Sequence, residues 1–300
     1  MDSSTTKPTV FIGIPAYNEE ANIHSLLTKL FSQIEDGFNI SRIVVNSDGS
    51  SDRTKEEVEK IKDSRLILKD NKDRKGQAGR QNEMIDMCAE DILVLLNADI
   101  LITSDTFIRD IVLPVINDGA DIVSSCMLAT TPKGYLESVL VLGMDIKTAL
   151  FETYADGENV YTCHGAARAF SRRFYKSFKF GASVGEDAHS YYFAKHNGFN
   201  YYYAKDAVCY IRCPSNLKDH INQSVRFFKA KAESMSLDVV LPEIKFLTLN
   251  SAWLLLPFLF RKPVKTTLYA FIVFYTILIT KTRKQNSQVW QVSTSSKVLN

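Results

Sequence analysis

Short apolar runs alternate along the chain with longer segments whose apolar positions recur every three or four residues. Val10 to Ile14 is an apolar run ended by Pro15, and Asn18-Glu19-Glu20 then opens a periodic segment through Ile23, Leu26, Leu27, Leu30 and Ile34. This predicts a strand, a loop and a helix. Ile40 to Val45 predicts a second strand, Ser51-Asp52 opens a charged helix over 53–61, and Arg65 to Leu68 predicts a short third strand. A polar loop, 70–76, precedes a helix over 77–88, after which Ile92 to Leu96 is apolar without a break, the signature of a strand buried on both faces. Strands and helices alternating at these lengths predict a parallel, helix-flanked sheet over roughly the first 120 residues. Asp121 to Ser125 resumes the sheet, and 133–161 is mostly helical in pattern. From Cys163 to Tyr210 the pattern loosens, with short strands expected at Ala169-Phe170 and Tyr201 to Tyr203.

The C-terminal part changes character. Segments 246–260 and 266–280 are almost wholly apolar, about 15 residues each, or about 22 Å as helix against a hydrocarbon core of about 30 Å. Arg261, Lys262 and Lys265 lie between them, and Lys281, Arg283 and Lys284 follow. Basic flanks beside aromatic-rich helices fit an interfacial or re-entrant hairpin, 236–285, on an anionic cytoplasmic leaflet; the other reading is a buried helical pair capping the domain. A polar tail, 286–300, follows.

Composition narrows the class. A hydrophobic content of 45% in 300 residues excludes a largely disordered chain, and a net charge of +2 gives no general affinity for nucleic acid. The five cysteines (Cys88, Cys126, Cys163, Cys209, Cys213) are odd in number and lack paired metal-ligand spacing, so they are expected to be reduced thiols in a cytosolic compartment. The first nine residues are polar, with no apolar signal core, so export is not expected.

Three carboxylates stand out. Asp48 and Asp99 fall where apolar strands end, which is where open α/β sheets bind ligands, and Asp187 lies in a loop after a basic segment. Pro15-Ala16-Tyr17-Asn18-Glu19 exposes backbone and a carboxylate to a nucleoside, with Tyr17 available to stack. Asp48 is suited to accept from a base N–H, although Asp48-Gly49-Ser50 equally reads as a turn before a helix cap. Asp99, with Asn97 two positions earlier, suits Mg²⁺ or Mn²⁺ bridging a diphosphate. Arg74, Lys75 and Arg80 offer fixed positive charge, or else form a solvated basic loop. Asp187 is the candidate general base, with Glu186 orienting a loop or the acceptor; the alternative is a surface acidic pair. His220 could add an imidazole to a metal shell or be structural, and Arg172-Arg173 could meet a phosphorylated lipid or end a strand.

Together Pro15-Ala16-Tyr17-Asn18-Glu19, Asp48-Gly49-Ser50 with Asp52 and Thr54, Asn97-Ala98-Asp99, Gly185-Glu186-Asp187 and Gln223-Ser224-Val225-Arg226-Phe227 resemble, in order and spacing, family 2 glycosyltransferases of the GT-A fold. The resemblance covers roughly residues 8–230. It implies an α/β fold with a mostly parallel, Rossmann-like sheet and a C-terminal apolar helical appendage. The nucleotide-binding half would span 8–100 and the acceptor half 101–235. It also implies nucleobase contact at Asp48, metal and diphosphate at Asp99, the catalytic base at Asp187, and an acceptor and diphosphate role for Gln223, Arg226 and Phe227.

Two departures bear on mechanism. Asn97 stands where the D-x-D triplet has an acid, and Phe227 where processive synthases have tryptophan, so transfer of one sugar is expected rather than polymerisation. The implied enzyme is inverting and metal-assisted, and it takes a nucleotide-sugar donor, UDP-linked by family frequency. Its acceptor would be lipid-linked or a glycan at the cytoplasmic face of a membrane, with no nucleic-acid partner. Two other readings stay open: a catalytically silent sugar-nucleotide-binding or scaffold subunit, and a nucleotidyltransferase, which would need a glycine-rich phosphate loop after the first strand.

Overall fold

The computed structural model describes residues 6–181, 186–234, 237–282 and 296–299, without the side chains of 186, 226–234, 237–242, 244, 247, 251, 252, 281 and 282. The first half runs β1 (Thr9–Ala16), α1 (Ile23–Phe31), β2 (Asn39–Asp48), α2 (Thr54–Glu59), β3 (Leu66–Asn71), α3 (Gly76–Met87), β4 (Ile92–Leu96) and β5 (Leu101–Ile102). Next come α4 (Phe107–Asn117), β6 (Ile122–Ala129), α5 (Tyr135–Phe151), β7 (Ala167–Ser171), α6 (Arg172–Ser177), α7 (Glu186–His196), β8 (Tyr201–Ile211) and α8 (Leu217–Ser234). Two long helices, α9 (Leu237–Arg261) and α10 (Pro263–Thr282), follow.

All eight strands form one sheet in the order β3-β2-β1-β4-β7-β6-β8-β5. β1 to β4 pair in parallel, β7 enters antiparallel between β4 and β6, and β8 pairs parallel to β6 with β5 antiparallel on its outer edge. The GT-A-like, mostly parallel sheet expected from the sequence is therefore present.

The unbroken apolar run 92–96 is explained by its position at the centre of the sheet. Ile92, Val94 and Leu96 face one core cluster, with α1 residues Leu26, Leu27 and Leu30, while Leu93 and Leu95 face the other, with Met84 and Phe170. β1 is similarly two-sided, and there Gly13 lets α3 approach: a Cβ at that position would lie 2.4 Å from the sulfur of Met84.

Two elements outrun their sequence signal. β8 continues to Ile211 through Lys205 and Asp206, both exposed, where its register against β6 shifts between Ser125 and Cys126. This irregularity interrupts the apolar alternation that marks a strand. α7 carries Tyr191 and Tyr192 consecutively on a buried helix, so no 3.6-residue period is visible.

The helical appendage is half packed and half open. Tyr269 and Ile272 of α10 bury against Val139, Leu140, Leu142 and Ile146 of α5, and Gly143 makes room for them, since a Cβ there would lie 2.0 Å from the Tyr269 ring. Glu243 of α9 is buried and accepts from Tyr191 Oη (2.6 Å) and the Val160 N–H (3.0 Å), which ties the appendage to the sheet domain. In contrast, Trp253, Phe260, Phe271 and Phe274 are exposed. Pro263–Thr280 is long and apolar enough to cross a membrane, with a mean hydropathy of 1.4.

Candidate active site

β1, β2 and β4 run in the same direction, so Ala16, Asp48 and Leu96 end on one edge of the sheet. The loop leaving β1 turns sharply there. Asn18 adopts a left-handed backbone (φ 53°), a conformation that Asn tolerates better than most side chains. Its Oδ1 accepts the Ser51 N–H (2.8 Å) and its own N–H donates to Ser50 Oγ (3.1 Å). The Glu19 N–H donates to Thr54 Oγ1 (2.7 Å) and the Glu20 N–H to Asp52 Oδ2 (3.1 Å). The segment Ser50 to Thr54 is thus the brace of the β1 loop, and the two sequence motifs are one structural unit.

Asp48 faces the N-terminus of α3. Its Oδ1 accepts from the Lys75 N–H (2.7 Å) and Arg80 Nε (2.8 Å), its Oδ2 accepts from the Gly76 N–H (3.0 Å), and Arg74 Nε lies 3.6 Å from Oδ2. Only Oδ2 retains an acceptor position, so any base contact is restricted to that oxygen. Gly49 (φ +71°) is required here, because a Cβ would sit 3.2 Å from the carbonyl oxygens of Lys72 and Asp73.

The expectation for Arg80 needs correction. Its guanidinium is fully buried and donates to Asp48, to Glu83 through Nη1 (3.1 Å) and to the Asp73 carbonyl through Nη2 (2.6 Å). It neutralises protein carboxylates and has nothing to offer a diphosphate. Arg74 remains at the mouth, stacked 3.5 Å from the ring centroid of Tyr17.

Asn97 and Asp99 follow β4. The Asn97 Oδ1 accepts from Gln77 Nε2 (2.9 Å), and its N–H donates to the Ala166 carbonyl (2.9 Å). An amide at this position therefore orders the loop instead of adding charge. Glu19 is buried, and its carboxyl is pushed up to about 7, by burial first and then by the neighbouring charge of Asp99, with Lys297 opposing. A buried carboxyl raised in part by a second carboxylate is a place that a hard divalent cation would relieve, which suits Mg²⁺ or Mn²⁺, although among the described residues no third His, Cys, Asp or Glu side chain joins the two.

Asp187 lies in the first turn of α7. Its Oδ1 accepts the Ala188 N–H (2.8 Å), and its carbonyl accepts from Ser190 Oγ (2.7 Å) and Cys163 Sγ (3.6 Å). Arg168 of β7, fully buried, donates to Ser190 Oγ (2.8 Å). Loop 163–166 thus touches Asp187 through Cys163 and the loop after β4 through Ala166. His164 within it is pushed down to about 4 by burial and then by Arg168, which keeps it neutral. Ser190, Asn22 and Lys297 carry no sequence signal that places them beside these loops, Lys297 lying in a polar tail.

Three expectations lie partly outside the described residues: the side chains of Glu186, Arg226 and Phe227. Gln223 donates to Ser296 Oγ (3.2 Å). His220 contacts Ser224 Oγ (3.5 Å), and its imidazole is pushed down to about 4 by burial and then by Lys147. An adjacent ammonium disfavours a cation there, and among the described residues no cluster of three His, Cys, Asp or Glu side chains gathers around it. Arg172 and Arg173 do not approach the cleft. They pair with Asp91 (3.5 Å) and Asp121 at the opposite end of β4 and β6, so the expectation that they meet a lipid phosphate is not upheld.

The fold has solved counterparts. A mannosyltransferase from Pyrobaculum calidifontis, solved with GDP-Man and Mn²⁺, superposes with a TM-score of 0.60 at 20% identity, over 95% of this chain and 78% of that one. Glucosyl-3-phosphoglycerate synthase from Mycobacterium tuberculosis, solved with Mn²⁺, UDP and glucosyl-3-phosphoglycerate, gives 0.53 at 16%, over 74% and 80%. Its complex with Mn²⁺, UDP-Glc and phosphoglyceric acid gives 0.52 at 17%, over 74% and 79%. No curated protein matches the sequence. The sequence pattern described as glycosyl transferase family 2 matches residues 11–178, more than half of the chain. On that match, and with a fold of the same kind around it, the chain belongs to glycosyl transferase family 2, the glycosyltransferases.

Proposed function

We propose that this chain is an inverting glycosyltransferase that moves one sugar from a nucleotide diphosphate sugar, UDP-linked in the first instance, to an acceptor hydroxyl. Pro15, Tyr17, Arg74 and the free position on Asp48 Oδ2 line the nucleoside end. Asp99, with Glu19 as its neighbour, would hold Mn²⁺ or Mg²⁺, which when bound would supply positive charge to the departing diphosphate. Asp187 takes the acceptor proton as the new bond to the anomeric carbon forms on the face opposite the leaving group; the old C–O bond breaks and its electron pair leaves on the diphosphate.

What supports the reading is the Glu19 and Asp99 pair at the ends of β1 and β4, with loop 163–166 running from there to Asp187. The hairpin extends it: Trp253, Phe260, Phe271 and Phe274 are exposed, with Arg261, Lys262 and Lys265 at the turn. That surface suits the headgroup region of an anionic cytoplasmic leaflet, which would bring a lipid-linked or membrane-proximal glycan acceptor to the cleft.

The test is transfer or hydrolysis of UDP- and GDP-sugars with Mn²⁺, in the wild type and in Asp187→Asn, together with flotation on vesicles containing phosphatidylserine. Turnover that needs Asp187, and vesicle binding that weakens in salt, are expected. Full turnover in Asp187→Asn would remove the base assignment, and equal flotation on neutral and anionic vesicles would remove the electrostatic part of the membrane reading.

A further inference from the structure

The segment Ser296 to Leu299 lies across the nucleoside end of the cleft. Lys297 Nζ donates to the carbonyls of Tyr17 (2.5 Å) and Asn18 (2.6 Å) and to Glu19 Oε1 (2.8 Å), and it sits 5.7 Å from the centroid of the Tyr17 ring. An ammonium has three N–H bonds, and all three are used. Asn22 holds the backbone on both sides of Val298: its Nδ2 donates to the Lys297 carbonyl and its Oδ1 accepts the Leu299 N–H (3.4 Å). Arg212 Nη1 donates to the Val298 carbonyl (2.8 Å) and Gln223 Nε2 to Ser296 Oγ (3.2 Å). Leu299 lines a small cavity together with Leu26 of α1 and Ile100 to Ile102 at β5.

The partners of Lys297 define what else could bind there. Two carbonyls and a carboxylate form an acceptor-only surface beside an aromatic ring. A ligand that uses it must bring N–H or O–H donors and a flat face, which a nucleoside does through its base and ribose. The ammonium and the nucleoside would draw on the same acceptors, so the two cannot be satisfied together. The covalent link adds to the competition, because a tethered segment acts at an effective concentration that a free peptide would not reach.

We propose that Ser296–Leu299 is a built-in competitor of the donor: docked, it closes the nucleoside end of the cleft, and the nucleotide binds only when Lys297 has left. The inference rests on the reading of this cleft as the donor site. Glu19 thereby has two alternating partners, the Lys297 ammonium when the segment is docked and the donor assembly when it is released.

Calorimetric titration of the full chain with UDP and with GDP, in Mn²⁺, compares the wild type with a variant carrying both Lys297→Ala and Leu299→Asp. In parallel, acetylation of Lys297 by an N-hydroxysuccinimide ester is followed by peptide mass spectrometry. The expected result is that the variant binds the preferred nucleotide about tenfold more tightly or better, and that saturating nucleotide speeds labelling of Lys297 in the wild type. Equal or weaker binding by the variant overturns the competition, as does unchanged labelling when nucleotide is bound. If neither nucleotide binds either form while Lys297 still labels slowly, the donor-site reading fails, and the inference with it.

Discussion

At the N-terminal ends of β4 and β6 every carboxylate meets a cation or a hydroxyl close by, whereas beyond the C-terminal end of β1 the Glu19 carboxyl meets Lys297 from the other end of the sequence (2.8 Å), with Asp99 as a neighbouring negative charge. Glu90 accepts from Arg42 Nε (2.7 Å) and Ser41 Oγ (2.9 Å); burial pushes its carboxyl up, but these bonds and the Ala89 N–H hold it at about 2. Asp91 is held down by Thr9, and Asp121, against its burial, by Arg173. Glu19 goes the other way, up to about 7. One end of the sheet is held by ion pairs that keep its carboxyls low, and at the other the Glu19 carboxyl stays raised even with the Lys297 ammonium against it. Carboxyls raised in this way concentrate where binding chemistry occurs.

The contrast can be broken most forcefully at Asp187. Asp187→Asn is expected to lower turnover by about 10²- to 10⁴-fold with nucleotide affinity unchanged, since a general base acts only as the bond forms. Parallel kinetics and calorimetry check this. A fall in affinity of the same size would instead make Asp187 a binding group.

Next comes Arg80, the cation of the open end that is spent on structure. Arg80→Met leaves Asp48 and Glu83 buried or half-buried without their guanidinium. Urea unfolding should show a loss of about 3–5 kcal/mol. Arg173→Met, whose guanidinium is mostly exposed, should cost far less in the same experiment.

The smallest of these effects sharpens the closed end. Glu90 has its folded value depressed to about 2 from an ordinary 4.5, so the unfolded chain binds the proton first as pH falls. Its contribution is complete above about pH 4.5 and is lost as pH drops toward about 2, on the order of 2 kcal/mol. Acid unfolding of Glu90→Gln, compared with the wild type between those limits, should lack that slope. An identical slope in both would show that Arg42 and Ser41 do not hold this carboxylate.

Much of this architecture could be read from the chain. The strands 10–14, 40–45 and 92–96 and the helices at α1 and α3 follow from local periodicity, because each buries a continuous face against a neighbour close in sequence. Tyr17, Asp48 and Asp99 stand out in the sequence because strand ends and turn chemistry leave a local mark. What escaped depended on distant partners. Arg80 reads as a basic loop residue until Asp48 and Glu83 surround it. Arg172 and Arg173 look like part of an acceptor site until the antiparallel entry of β7 carries them to the far end of the sheet. Lys297 belongs to a polar tail with no periodicity at all, and its place is set by carbonyls some 280 positions away in the chain.

The most direct test is electron paramagnetic resonance titration of Mn²⁺ with UDP or GDP present, in the wild type and in Asp99→Asn. A single tightly held Mn²⁺ per wild-type chain, weakened about tenfold or more in Asp99→Asn, is the expected result. Equal Mn²⁺ affinity in the two proteins would contradict the placing of the metal, and of the diphosphate with it, at the ends of β1 and β4.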